Sequence, residues 1–377
     1  MKRRTNGEGS VRYNSSKKLY EARFQTRLED GTLKRYSFYG KTSKEALGKM
    51  HQGQTRAKQN RPVVDVKLRL GDWFADWSEN ALELSNRKQT TKDLYRTLAK
   101  HILNHPIASK ELTKILPSQI EKFFSDLKAR ELSGSTIRNI YAILSALFND
   151  AIREKKISEN PLTLVSRPKR TRTEARYLTA AEVRSVLENA QNLRYRTALQ
   201  LIAATGLRRG EALALRWGDI DLSGRSLRVR ATLARTKMGL NVTPPKTESA
   251  HRQVPLTDAM VEVLKFHRIA QDQEKAAGGN KYIDKGFVFA TETGEPVDPR
   301  NLFRALITAA RKAGISDIGL HTLRHSAATT MLEAGIPIHV VSRIIGHSGI
   351  NITVDVYGHV SDEASRSAIE ALGDSIS

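Results

Sequence analysis

Three short stretches near the C-terminal end carry side chains that could do chemistry together. They are His321-Thr322-Leu323-Arg324, Gly346-His347-Ser348 and Tyr357-Gly358-His359. A tyrosine hydroxyl attacks only after losing its proton, and its pKa of about 10 means that it needs help. Imidazoles and a guanidinium beside it suit an attack on a phosphate, whose charge grows in the transition state. His321 and His325 also stand at i, i+4, a spacing used by metal pairs. No Glu or Asp completes a ligand set as in His-Glu-x-x-His, so no metal site is expected.

A phosphate site needs more cations, and the chain offers two upstream. In Thr205-Gly206-Leu207-Arg208-Arg209-Gly210-Glu211 the glycine breaks one helix and another starts at once. An arginine at such a junction is held near exposed helix N–H groups, which suits an oxyanion. Glu211, three residues on, is within helical reach of Arg208 and could fix its rotamer. By itself an Arg–Glu pair on a helix is most often a surface ion pair. Pro244-Pro245-Lys246-Thr247-Glu248-Ser249 reads as a turn between a strand over 226–233 and another over 252–255, which puts Lys246 on a hairpin tip. Gly40-Lys41-Thr42 imitates the end of a phosphate-binding loop, but the first glycine such a loop needs would fall on Arg35.

The elements that must position these groups are mostly helical. Thr179-Ala180-Ala181-Glu182 is a capping box, and residues 195–204 form the next helix. Upstream, residues 68–156 read as four helices. The first carries Leu70, Trp73, Phe74 and Trp77 on one face, an aromatic stripe that reads as core. The second spans 91–103, the third starts near Pro117, and the fourth opens at Ser133-Gly134-Ser135-Thr136; Asn160-Pro161 marks the stop. Before them, residues 19–27 alternate as a strand. Tyr20, Ala22, Phe24 and Thr26 share one face, and Glu21, Arg23, Gln25 and Arg27 the other. Asp30-Gly31 signals a hairpin, residues 33–38 return, and residues 10–13 add a third strand. Thr42-Ser43-Lys44-Glu45 then caps a helix that reaches Lys58, and residues 59–66 read as a linker. After Tyr357, residues 364–376 pattern as a short amphipathic helix that can pack on its own domain or on a neighbouring protomer.

The 377 residues carry 62 Lys and Arg against 40 Asp and Glu, a net charge of +22. Such an excess implies a polyanionic partner, most often nucleic acid. Residues 1–60 alone hold 15 Lys and Arg against 5 acids. Arg23, Arg27, Lys34 and Arg35 there are candidate DNA contacts, because strands can enter a DNA groove. Lys169, Arg170 and Arg172, in the basic Pro-containing connector 161–176, are candidate contacts to a phosphate backbone. The absence of cysteine removes disulfides, zinc-finger cysteines and thiol catalysis, and fits a reducing cytoplasm. The basic start lacks an apolar segment after it, so no signal peptide is expected, and no run is apolar enough for a membrane span.

Arg208, Lys246, His321-x-x-Arg324, His347 and Tyr357, in this order and spacing, closely resemble the tyrosine recombinases of the phage-integrase family. The resemblance covers residues 175–360 strongly. Residues 65–160 resemble that family's helical, SAM-like core-binding domain, and residues 1–60 the arm-type DNA-binding domain of integrases from phages and conjugative elements. The implied fold is mainly α with small β elements: a three-stranded sheet plus helix, a helical domain, and a mostly helical catalytic domain over 177–377. The resemblance implies that Tyr357 is the nucleophile and that Arg208, Arg324 and His347 hold the phosphate. Lys246 would protonate the departing 5′-oxygen, His321 assist proton transfer, and Glu211 stand behind Arg208. It further implies a 3′-phosphotyrosyl intermediate, no metal, ATP or other cofactor, and a homotetramer on double-stranded DNA with core-type and arm-type sites, in the cytoplasm of a bacterial host. A DNA-bending host factor and a directionality factor are the accessories it admits. A relaxing topoisomerase with the same chemistry and an inactive DNA-binding regulator are the alternatives.

Overall fold

A computed structural model describes residues 10–27, 32–58, 63, 67–169, 176–245 and 251–346. The chain divides into two units, Met1–Thr171 and Arg172–Ser377. The Asp30-Gly31 turn, most of the 59–66 stretch and the 364–376 pattern lie outside the described residues.

In the first unit, β1 (Ser10–Asn14), β2 (Leu19–Arg27) and β3 (Leu33–Gly40) form an antiparallel sheet in that order. Alternation along β2 works as expected on its apolar face. Ala22 and Phe24 are buried, and Phe24 stacks on Tyr36 and Phe38 of β3. These rings pack on Ala46 and Met50 of α1 (Ser43–Lys58). Thr42 starts this helix, its Oγ1 accepting the Glu45 N–H at 3.1 Å, while Glu45 takes the Lys41 N–H at 2.8 Å. Val63 is buried against the same cluster, so part of the stretch read as a linker belongs to this core.

The helical part contains α2 (Leu70–Glu79), α3 (Ala81–Leu84), α4 (Gln89–Leu103), α5 (Pro117–Ala129) and α6 (Gly134–Arg153). The reading of four helices lacked the short α3. Asn80 separates it from α2, its backbone N–H and its side-chain amide both donating to Asp76. The aromatic stripe is core: Trp73, Phe74 and Trp77 belong to one buried cluster with Leu144, Leu147 and Phe148 of α6. Each such side chain contributes about 1.5–3 kcal/mol by leaving water. Their polar edges are satisfied as well, since Trp73 Nε1 donates to the Leu147 carbonyl at 3.1 Å and Trp77 Nε1 to Asp150 at 2.6 Å.

The second unit begins with α7 (Ala180–Asn189). Thr179 and Glu182 form the expected reciprocal cap, with N–H contacts of 3.2 and 2.8 Å. There follow α8 (Leu193–Thr205) and α9 (Arg209–Ala214), then the short strands β4 (Ile220–Asp221), β5 (Ser226–Val229), β6 (Thr232–Thr236), β7 (Gly239–Thr243) and β8 (Arg252–Pro255). The long helix α10 (Asp258–Gly278) leads to α11 (Pro299–Lys312), α12 (Leu320–Glu333) and α13 (Ile338–Ile345). The single strand expected over 226–233 is two strands. β5 pairs with β4 and with β8, setting Leu227 opposite Val254, whereas β6 leaves to pair with β7. The expected pairing across Lys246 is therefore present, with a second hairpin inserted before it.

Candidate functional site

The site is built around the C-terminal end of α13. A helix end leaves carbonyls without internal partners and carries the negative pole of the helix dipole. Three consecutive carbonyls there each receive a different arginine. Ile344 takes Arg252 Nε at 2.7 Å, Ile345 takes Arg324 Nη1 at 2.8 Å, and Gly346 takes Arg208 Nη2 at 2.7 Å. Gly346 ends the helix at φ +74°, a conformation that glycine adopts without strain.

Arg208 comes from the junction between α8 and α9. Gly206 closes α8 at φ +66°, and its carbonyl accepts Arg324 Nη1 at 2.6 Å. Arg208 is the first residue flanking α9. Its backbone N–H donates to Glu211 Oε2 at 3.0 Å and its Nη1 to Glu211 Oε1 at 2.7 Å. Glu211 is 3% exposed, so this is no surface ion pair. Burial works to raise its pKa, but the hydrogen bonds and charges of Arg252 and Arg208 outweigh that and hold it below the ordinary carboxylate value. The Arg208 side chain remains 37% exposed. Both of its terminal nitrogens are thus tied within the protein, while the side chain stays accessible to a ligand from solvent.

Arg324 lies deeper on α12, 4% exposed, at the floor of the site. His321, one turn earlier on the same helix, is exposed at the mouth. Partial desolvation first, then the charges of Arg324, Arg209 and Arg208, hold its imidazole below the ordinary pKa. A ring kept neutral in this way can accept a proton. His325 is lowered too, by burial and by His321 and Arg324; the two rings stand 6.4 Å apart.

The described residues thus bring together Arg208, Glu211, His321 and Arg324. Lys246, His347 and Tyr357 lie outside the described residues. His347 directly follows Gly346 in the chain, and Lys246 falls between β7 and β8. The sequence reading missed Arg252. It had one signal: alternation along β8 puts it on the same face as Val254, where a charge must find a partner. It finds Glu211 Oε2 at 2.9 Å.

A second candidate surface is the sheet face of β1–β3 away from α1. Arg23, Arg27 and Arg35 lie on it, with Arg12 beside Glu21 on the neighbouring strand. Glu21 is 1% exposed on this open face because Arg12, Arg23 and Tyr39 cover it, at 3.2, 2.7 and 2.9 Å. That covering by itself raises its pKa. The hydrogen bonds from Arg23, Tyr39, Ser37 and Arg12 outweigh the effect and bring it down to about 2. Lys34 is on the opposite face: it pairs with Thr26, and its Nζ lies 5.6 Å from the Tyr36 ring centre. Lys169 is exposed, and Arg170 and Arg172 lie outside the described residues.

Residues 176–364 match the model of the phage integrase family, and residues 70–169 that of the phage integrase SAM-like domain. A XerC-like tyrosine recombinase of Caldanaerobacter subterraneus subsp. tengcongensis is 30% identical over 92% of this chain and 94% of its own. The ICEBs1 integrase of Bacillus subtilis is 25% identical over 88% of this chain and 90% of its own. Among solved structures, the Tn1549 transposon integrase in complex with transposon right end DNA superimposes with a TM-score of 0.67 and 25% identity. That match covers 81% of this chain and 99% of the other. A lambda integrase dimer bound to a COC′ core site shares the fold, with a TM-score of 0.59 at 21% identity over 95% and 96% of the two chains.

Proposed function

This chain belongs to the phage integrase family of tyrosine recombinases, and from that premise we propose that it cuts and rejoins double-stranded DNA through Tyr357, without metal or ATP. The observation that carries this reading is the convergence of Arg208 and Arg324 on adjacent carbonyls at the end of α13, with Arg208 held by a buried glutamate and still partly exposed to solvent.

In this mechanism the Tyr357 oxygen forms a bond to phosphorus and the bond to the 5′-oxygen breaks. His321, neutral in the free site, takes the phenol proton, and Lys246 gives one to the leaving 5′-oxygen. Arg208 and Arg324 bind the non-bridging oxygens as charge builds there, and His347 donates to one of them. Fixed donors of this kind are the largest catalytic contribution in a site of this type. The bond's energy is kept in the 3′-phosphotyrosyl link, so a partner strand's 5′-hydroxyl can reseal it. Four protomers on two sites would complete the exchange.

In this reading the chain works as three domains, and the two upstream ones supply the grip. The sheet face with Arg12, Arg23, Arg27 and Arg35 is suited to arm-type sites, and Lys34, on the other face, is left to a flanking phosphate. The connector with Lys169, Arg170 and Arg172 would lie along the backbone near the core site.

One experiment tests the reading. Wild type and Tyr357→Phe are incubated with nicked duplexes from a random library, and covalent complexes are trapped and sequenced. A single enriched core sequence, with no trapping by Tyr357→Phe, is the expected result. Indiscriminate trapping points instead to a topoisomerase, and no trapping by wild type overturns the proposal.

A further inference from the structure

Arg252 takes no direct part in the proposed chemistry, yet its side chain meets two of the groups that shape the site. The side chain is 5% exposed and divides its donors, Nη2 going to Glu211 Oε2 at 2.9 Å and Nε to the Ile344 carbonyl at 2.7 Å. It also lies against Gly346. A Cβ at that position would stand 2.7 Å from Arg252 Nη1 and 2.8 Å from its Cζ. One guanidinium therefore touches the carboxylate that holds Arg208 and the last residue before His347.

The arrangement does what an Arg208–Glu211 pair cannot do by itself. An i, i+3 ion pair on a short helix is worth a few tenths of a kcal/mol, about 0.2–0.5, and leaves both side chains free to swing. Here both carboxylate oxygens are engaged. Oε1 takes Arg208 Nη1, and Oε2 takes Arg252 Nη2 together with the Arg208 backbone N–H. β8, α9 and α13 meet at this carboxylate and this helix end. A lysine could place a charge at position 252, but it lacks the rigid fork that reaches Glu211 and Ile344 together.

We propose that Arg252 is a positioning residue for DNA cleavage: it fixes Glu211 and the end of α13 in the arrangement in which Arg208 meets a phosphate oxygen. The inference rests on the reading of Arg208 as a phosphate ligand. It assigns Arg252 to transition-state electrostatics rather than to the proton supplied by Lys246 or to DNA affinity.

The test is a double-mutant cycle on the full chain, reading single-turnover covalent attachment to a nicked duplex carrying the core sequence. Arg252→Met should slow attachment about 100-fold, the scale of a displacement of roughly 1 Å, with DNA affinity unchanged. In an Arg208→Ala background, Arg252→Met should slow it no further, because the group it positions is gone. Arg252→Lys, which keeps the charge and the fold but not the fork, is run through the same cycle and should behave like Arg252→Met. Losses that multiply in the double variant, or a parallel loss of DNA affinity, overturn the inference and reduce Arg252 to a structural ion pair. Arg208→Ala cleaving at the wild-type rate overturns the phosphate-ligand reading beneath it, and wild type forming no adduct overturns the proposed function itself.

Discussion

Arg208 and Arg324 donate to neighbouring carbonyls of one helix end, Gly346 at 2.7 Å and Ile345 at 2.8 Å, although one comes from the α8–α9 junction and the other from α12. Peptide groups at that helix end thus fix one side of each guanidinium, while Glu211, itself held by Arg252, fixes the other side of Arg208.

From this placement, Arg208→Lys should fold and bind DNA but cleave poorly. A lysine cannot span Glu211 and Gly346 and still present an edge to phosphate. Loss of one fixed donor to a developing oxyanion costs about 10²–10³ in rate. Covalent attachment under single-turnover conditions measures it, and a loss below tenfold would refute the placement.

Gly346→Ala should damage both stability and cleavage. The residue sits at φ +74°, and its missing side chain leaves room for the Arg252 guanidinium. A non-glycine residue in that backbone region costs about 1–2 kcal/mol before any displacement of Arg252 is counted. Denaturant unfolding of the variant should show a loss of at least this size, together with slower attachment.

The pH dependence of cleavage should carry the mark of His321. Its folded pKa lies below the ordinary 6.5, so the ring stays neutral as pH falls past that value. The acid limb of the cleavage rate should therefore fall below pH 6.5, and His321→Gln should remove it. The unfolded chain takes up the proton first on acidification, so this histidine subtracts stability as pH falls through that window. An acid limb centred at or above 6.5 would contradict the assignment.

Glu21→Gln should weaken the N-terminal module at neutral pH. The carboxylate moves from an ordinary 4.5 to about 2 on folding, so its contribution is complete above 4.5 and is lost as pH falls toward 2. Because the arginines that cover Glu21 are themselves solvent-exposed on a small module, their charges are screened and the difference should be no more than about 1 kcal/mol. Unfolding at pH 7 and at pH 2 should show the gap and its disappearance. Freed from Glu21, Arg23 should also change affinity for double-stranded DNA, measured by titration.

Local rules made much of this architecture legible in the sequence. Alternation along residues 19–27 and the spacing of Leu70, Trp73, Phe74 and Trp77 need only one element to be read, and both gave the right core faces. Thr179–Glu182 and Arg208–Glu211 act three residues apart, so their geometry was readable too. What escaped depends on partners far along the chain. Residues 226–233 have no internal reason to break; the strand ends because β5 takes β8 as partner while β6 takes β7. Arg252 looks like any basic strand residue until Glu211 and Ile344 are beside it. Lys34 was grouped with Arg35 by charge, whereas alternation with Tyr36 and Phe38 puts it on the other face.

The three arginines gripping the end of α13 also change what DNA binding has to accomplish. Each arginine side chain carries about 2 kcal/mol of rotamer entropy, and here that freedom is given up when the chain folds. An arriving phosphodiester meets guanidinium groups already at rest on peptide oxygens, so their ordering adds little to the entropy lost on association. The affinity gained from basic surfaces elsewhere on the chain is then not consumed in ordering these side chains, and one buried carboxylate, Glu211, offsets part of their charge before DNA arrives.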